Sequence, residues 1–233
     1  MRKNAPLDGD ADGLCRRGFG GESMADYQTL QTKLHELAGR KWDLPSIEAR
    51  CRIIAAQGIS RKELNRDQII ANKQQILDRV QLRGEEYNFF AGNCARSAAL
   101  AVMEEFGLGN LEVIKALSPF PGFGGTGWMC GGVTGGLIAL GLYGGSEDLR
   151  NQDAMRHTIM EAKRFMARFG EEAGAVTCRR IQQDVVFGRY MDPGASPENM
   201  KAFEQAKGFE KCSLFPGIGA RIAAEIIIES IAQ

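Results

Sequence analysis

Four cysteines, Cys94, Cys130, Cys178 and Cys212, stand 36, 48 and 34 residues apart, with no Cys-x-x-Cys pair among them. That spacing excludes a thioredoxin-type dithiol, a zinc ribbon and ferredoxin-type ligation. The missing Cys-x-x-Cys-His excludes covalent haem. If the four act together, four separate elements must assemble them; otherwise they are four unrelated small core residues. Each falls at or just before a helix start in the hydrophobic pattern. Unpaired N–H groups and the positive end of a helix dipole lie there, and both stabilise a thiolate. The other two cysteines are set apart. Cys15 lies in a polar N-terminal tail, and Cys51 shares a helical face with Ile47 and Ile54, which makes it a core residue.

The elements that must position these thiols are helices. Residues 121–145 hold 11 of the 29 glycines. Glycine costs backbone entropy wherever it is ordered, so such a run needs unusual dihedrals or close approach. Residues 122–127 read as a loop that delivers the chain to Cys130. Residues 130–143 read as a buried helix with a smooth glycine face, with Val133, Leu137, Ile138, Leu140 and Leu142 as its apolar positions. Asn93 is an N-cap that places Cys94 in a first helical turn ending at Gly107.

Further helices are expected over 24–39, 46–57, 67–82, 111–117, 151–169, 175–183, 197–208 and 217–232, with a loop over 187–196. In the last helix Arg221, Glu225 and Glu229 form one polar row. Gly170 and Gly174 are read as breaks. No period-2 run appears, so the fold class is all-α: a compact helical domain with cysteines converging from separate helix starts. The expected organisation is a disordered tail over 1–23, a helical region over 24–86 and a four-cysteine domain over 87–233, the last two forming one unit. Everything after Met24 has folded texture, so Met24 is a candidate start. The region before residue 87 is expected to form a dimer interface or to cover the site.

Composition removes several classes. Lys and Arg total 29 and Asp and Glu total 29, so no basic field favours nucleic acid. The longest apolar run is too short and too interrupted by glycine to span a bilayer. No apolar segment follows Arg2 and Lys3, so no secretory leader is read and a cytoplasmic location is expected. There, cysteines serve as thiols, metal ligands or redox groups more than as structural disulfides. A dinucleotide loop at 122–127 would need a strand before it, and Pro119 and Pro121 stand there instead. His35 and His157 lie among charged neighbours on amphipathic helices and read as surface residues. Glu104 and Glu105 read as solvated.

Taken together, Asn93-Cys94-Ala95, Gly122-Phe-Gly-Gly-Thr-Gly127, Cys130-Gly-Gly-Val-Thr-Gly135, Val176-Thr-Cys178-Arg179 and Lys211-Cys212 resemble the C-GCAxxG-C-C family of redox-active proteins. The resemblance runs from about residue 87 to 232 and keeps all four cysteines in order. It departs at Gly132, where the family usually has alanine, and at Met129, where the family's name puts glycine.

A relative, the split-Soret cytochrome c, joins a similar domain to haem-attachment motifs and works in electron transfer. Those motifs are missing here, so haem is not carried over. The resemblance implies a redox-active or electron-transfer protein. Its cofactor would be an iron–sulfur cluster of the two-iron type, with Cys94, Cys130, Cys178 and Cys212 as ligands and an unidentified redox partner protein. Trp128, Met129, Phe120 and Phe123 would shield such a cluster, and Arg179 and Arg180 would balance its charge. Two other readings of the same cysteines stay open: a thiol–disulfide enzyme or sensor, and a structural zinc module.

Overall fold

Helix starts in this chain are written in side chains that can accept a hydrogen bond. Asp43, Asn65, Asn93, Asn110, Asn151 and Ser196 each accept one from a first-turn N–H of the helix that follows. In the computed structural model the described residues are 27–233. The expected tail over 1–23, Cys15 and Met24 lie outside them.

The helices are α1 (Tyr27–Gly39), α2 (Leu44–Gln57), α3 (Arg66–Ala71), α4 (Lys73–Ala91), α5 (Cys94–Phe106) and α6 (Leu111–Ala116). After the glycine loop come α7 (Gly131–Gly144), α8 (Gln152–Ala173) and α9 (Cys178–Arg180), which runs into a π-helical turn over Ile181–Val186. The chain ends with α10 (Pro197–Gln205), α11 (Gly208–Cys212) and α12 (Leu214–Ala232). Among the described residues there is no strand, only an isolated antiparallel bridge between Met129 and Thr177. The all-α expectation holds.

The core is arranged around α12. Thirteen of its residues, from Leu214 to Ile228, are buried, as expected of a helix that is apolar on nearly every side. It packs against α4, α5, α7 and α8. The contact with α7 is made backbone to backbone: a Cβ on Gly219 would lie 2.2 Å from the Gly132 carbonyl oxygen. On the other side of α7, a Cβ on Gly135 would lie 2.3 Å from the Ala95 oxygen of α5. The glycines therefore do form a face for close packing.

Several boundaries differ from the expectations. The helix expected over 67–82 is two helices, broken at Asn72, and the second continues to Ala91. Its extension is held by tertiary contacts. Tyr87 and Asn88 are buried, and Gly84 admits the backbone of α12, where a Cβ would lie 2.9 Å from Pro216 O. Gly92, at φ 61°, ends it.

Gly170 does not end α8. Phe169 and Ala173 on either side are fully buried, which offsets the ~1 kcal/mol that an interior glycine costs; Gly174, at φ 79°, is the cap. The last helix starts at Leu214 rather than Gly217, because Pro216 sits in the first turn, where an N–H has no helical partner to lose.

Met155 and Ile159 of α8 share its apolar stripe but are 49% and 47% exposed, so only the Phe165–Phe169 half of that stripe is core. Arg221, Glu225 and Glu229 pair mainly with neighbouring helices: Arg221 with Glu172, Glu225 with Lys73 and Arg168, Glu229 with Arg164 and Arg168. His35 and His157 are exposed, as expected. Glu104 and Glu105 are not simply solvated. Tyr87 donates to Glu104, and Glu105 pairs with Arg79.

Candidate cysteine site

Cys94 opens α5. Asn93 caps that helix through Oδ1, which accepts from Arg96 N at 3.1 Å, while its Nδ2 donates to Ser118 O at 3.0 Å. One side chain thus fixes both the helix start and the segment leading to the glycine loop. Within that loop Gly122, Phe123, Gly124, Gly125 and Gly127 have φ between 54° and 80°. Phe123 pays a left-handed cost of roughly 1–2 kcal/mol that its glycine neighbours avoid.

The loop leads into the isolated bridge. Cys130 N donates to Val176 O at 3.0 Å, Cys178 N to Trp128 O at 2.6 Å and Arg179 N to Gly127 O at 2.8 Å. This pairing sets Cys130, the N-cap of α7, beside Cys178, the first residue of α9.

Gly131 then brings α7 against Cys94. A Cβ there would lie 2.1 Å from Cys94 Sγ, so no side chain fits. Backbone N–H groups of Gly131, Gly122, Ala95 and Cys94 itself are directed at the Cys94 sulfur, and that of Gly132 at Cys130. Gln182 Nε2 donates to Cys178 Sγ at 3.5 Å, and Gln182 Oε1 accepts from Met191 N at 2.8 Å. Cys212 is the last residue of α11 and stands just before α12, which begins at Leu214. The neighbouring Ser213 donates to Phe209 O at 2.8 Å and accepts from Asn88 Nδ2 at 3.0 Å.

All four cysteines line one cavity of about 340 Å³. Cys130 is buried and the other three are part-buried. Cys51 packs at the edge of the core, away from that cavity. Among the described residues, no three His, Cys, Asp or Glu side chains form a ready-made group for a metal ion.

The thiols also depart from the thiolate character expected of helix starts. Burial pushes Cys130 and Cys212 well above the ordinary thiol range, and neighbouring cysteines push the same way. Burial and then the charge of Cys94 push Cys178 up to about 12. Burial raises Cys94 as well, against the four backbone N–H groups that favour its thiolate. The reason is one of size: a helix terminus is worth about 0.3–1 kcal/mol, whereas burial shifts a pKa by up to ~3–5 units.

Aromatic cover comes from elsewhere than expected. Trp128 and Phe123 are 39% and 48% exposed, and neither lines the cavity, nor do Phe120 and Met129. Phe203, Phe209 and Phe215 line it instead. Arg179 stacks over Tyr190 at 4.3 Å and Arg180 pairs with Asp184; neither lines the cavity. Gln182, Phe203 and Phe209 were not singled out by the sequence. The one signal for the two rings was an aromatic pair in the otherwise polar stretch of α10 and α11. α1 backs this site, packing against α11 and the π-helical turn, with Gln31 Nε2 donating to Val185 O at 2.7 Å.

The donor chemistry fits a group held by thiolates: four cysteines face one cavity, and backbone N–H groups point at two of the sulfurs. The fold and this site define a class: an all-α protein with a cavity walled by four cysteines from separate elements. More narrowly, the chain belongs to the family described as Putative redox-active protein (C_GCAxxG_C_C), whose model matches residues 92–226 and so spans all four. No curated protein and no solved structure matches it. No helix among the described residues is long and apolar enough to cross a membrane.

Proposed function

We propose that this protein transfers electrons through a two-iron iron–sulfur cluster held by Cys94, Cys130, Cys178 and Cys212. The observation that carries the reading is their convergence on one cavity from four elements, within a family of redox-active proteins. Such a cluster, when bound, supplies one-electron chemistry at a potential set by its surroundings.

The chain's own residues do the rest. N–H groups of Gly122, Gly131 and Ala95 at Cys94, and of Gly132 at Cys130, stabilise negative sulfur. Gln182 orients Cys178 and ties it to the 187–196 loop. Phe203, Phe209 and Phe215 keep water from the sulfurs. The raised thiol pKa values mean that four protons leave as metal arrives, so loading is favoured by rising pH.

A cytoplasmic location and a protein redox partner belong to the same proposal.

The test is anaerobic purification with iron, labile sulfide and zinc analysis and a visible spectrum. Stoichiometric iron and sulfide, with colour lost in Cys130→Ser, is the expected result. A colourless protein without iron overturns the reading. Stoichiometric zinc, or thiols that titrate freely without metal, also overturns it.

A further inference from the structure

The cavity is larger than its cysteines require. A single water needs ~10–15 Å³ by a comparable measure. This cavity, which a cluster on the cysteines would share, has about 340 Å³, within the range of roughly 300–1,000 Å³ found for small-molecule sites. Structural metal sites are closed by their ligands, whereas sites that act on a second molecule keep a position open.

The remaining wall is mostly apolar. Ile181 and Phe215 are buried core residues, and Phe203 and Phe209 meet edge to face with ring centroids 5.1 Å apart. Polar side chains other than the cysteines are few: Asn88, Gln182, Tyr190 and Asp192. Tyr190 and Asp192 sit on the 187–196 loop. That loop is fastened by the Gln182–Met191 bond and by the Tyr190 hydroxyl, which donates to Gly125 O at 3.1 Å. No Lys, Arg or His lines the cavity among the described residues, and Asp192 is its one carboxylate.

We propose that this cavity binds a small, uncharged, largely apolar organic molecule alongside the cysteines. The inference rests on the reading of the four cysteines as a redox centre, and it adds a small-molecule ligand to that centre. Aromatic rings supply contact area at low entropic cost, and the few polar groups set orientation. An anion is rejected. A carboxylate or phosphate would lose its hydration with no cation to replace it, and it would face the negative charge of Asp192.

The experiment titrates the full-length protein with benzyl alcohol and, separately, with benzoate. Binding is followed by saturation-transfer NMR and calorimetry, and iron and labile sulfide are measured on the same sample. Benzyl alcohol is expected to saturate one site and benzoate to bind at least tenfold more weakly. Phe209→Trp, which fills the cavity, is expected to abolish binding. Phe209→Ala, which removes part of the wall, should weaken it severalfold and serves if the larger ring prevents folding.

No saturable binding of benzyl alcohol, equal binding of benzoate, or unchanged binding in both variants overturns the proposal. The two readings fail separately. Binding that is sensitive to Phe209 in a protein without iron supports the cavity and sinks the cluster. Stoichiometric iron without binding does the reverse.

Discussion

The helices around Cys94 and those along the outer flank of α4 are joined in different ways. At the site, α5, α7 and α12 touch backbone to backbone, through Gly131, Gly132, Gly135 and Gly219. Along α4, the contacts are long side chains and ion pairs. Arg79 binds Glu105 through two hydrogen bonds of 2.8 and 2.6 Å, and Arg50 pairs with Glu86 at 2.6 Å. A backbone contact has no rotamer to change when an atom is added, so it positions sulfurs tightly and tolerates little. A part-exposed ion pair adjusts easily and contributes little. The difference teaches where precision is concentrated: in the glycine contacts that bring α7 against Cys94.

The largest effect that would break this comparison is at Gly219. Gly219→Ala places a methyl where Gly132 O lies, and α12 cannot retreat without opening the cysteine cavity. A loss of about 3 kcal/mol is expected in urea unfolding. Gly39→Ala is the control, because a Cβ there meets nothing within 4 Å, and it should be neutral or slightly stabilising. Similar losses in both would show that close approach is not what these glycines provide.

A middle effect is expected at Asn93. Asn93→Ala removes the cap of α5 and the bond to Ser118 O, at about 1–2 kcal/mol. Under the proposed function it should also lower iron retention, because Cys94 is the residue next to the cap. Full retention of iron in a folded variant would mean that the cap serves only the helix.

The smallest effect belongs to the flank. Burial pushes the Glu105 carboxyl up, but the bonded Arg79, with Lys62 and Arg83 beside it, holds it below its ordinary value. A depressed folded pKa stabilises above the unfolded value, near 4.3, and that stabilisation is lost as pH falls through the folded one. Glu105→Gln should therefore cost about 0.5–1 kcal/mol at pH 7. The difference from the unaltered protein should shrink as pH falls below the unfolded value and close once it passes the lower folded one, in acid unfolding curves. A penalty that persists unchanged at pH 3 would assign the role to packing, not charge.

Local features were legible before any fold was known. Asn93 capping the Cys94 helix, Gly58, Gly107 and Gly174 ending helices, and Pro197 opening one all follow from rules that act within a few residues. The order of the cysteines, read with the glycine loop, was enough to reach the family. Features that depend on burial were misjudged. Gly170 looked like a break, because the weight of Phe169 and Ala173 on a distant surface is invisible along the chain. Trp128 and Phe123 looked like shields, because hydrophobicity does not say which cavity a ring reaches.

The sequence by itself determined which residues could start and stop helices, how many thiols the chain carries and in what order. Those are properties of single residues and their immediate neighbours, fixed by backbone dihedrals, hydrogen-bond donors and spacing. Only the tertiary structure decided that Cys94, Cys130, Cys178 and Cys212 share one cavity, that burial pushes their thiols up, and that Phe203 and Phe209 complete the wall. Residues 34 to 48 positions apart meet through the packing of whole helices, and a thiol's charge answers to the dielectric around it. Neither quantity exists until the chain has folded.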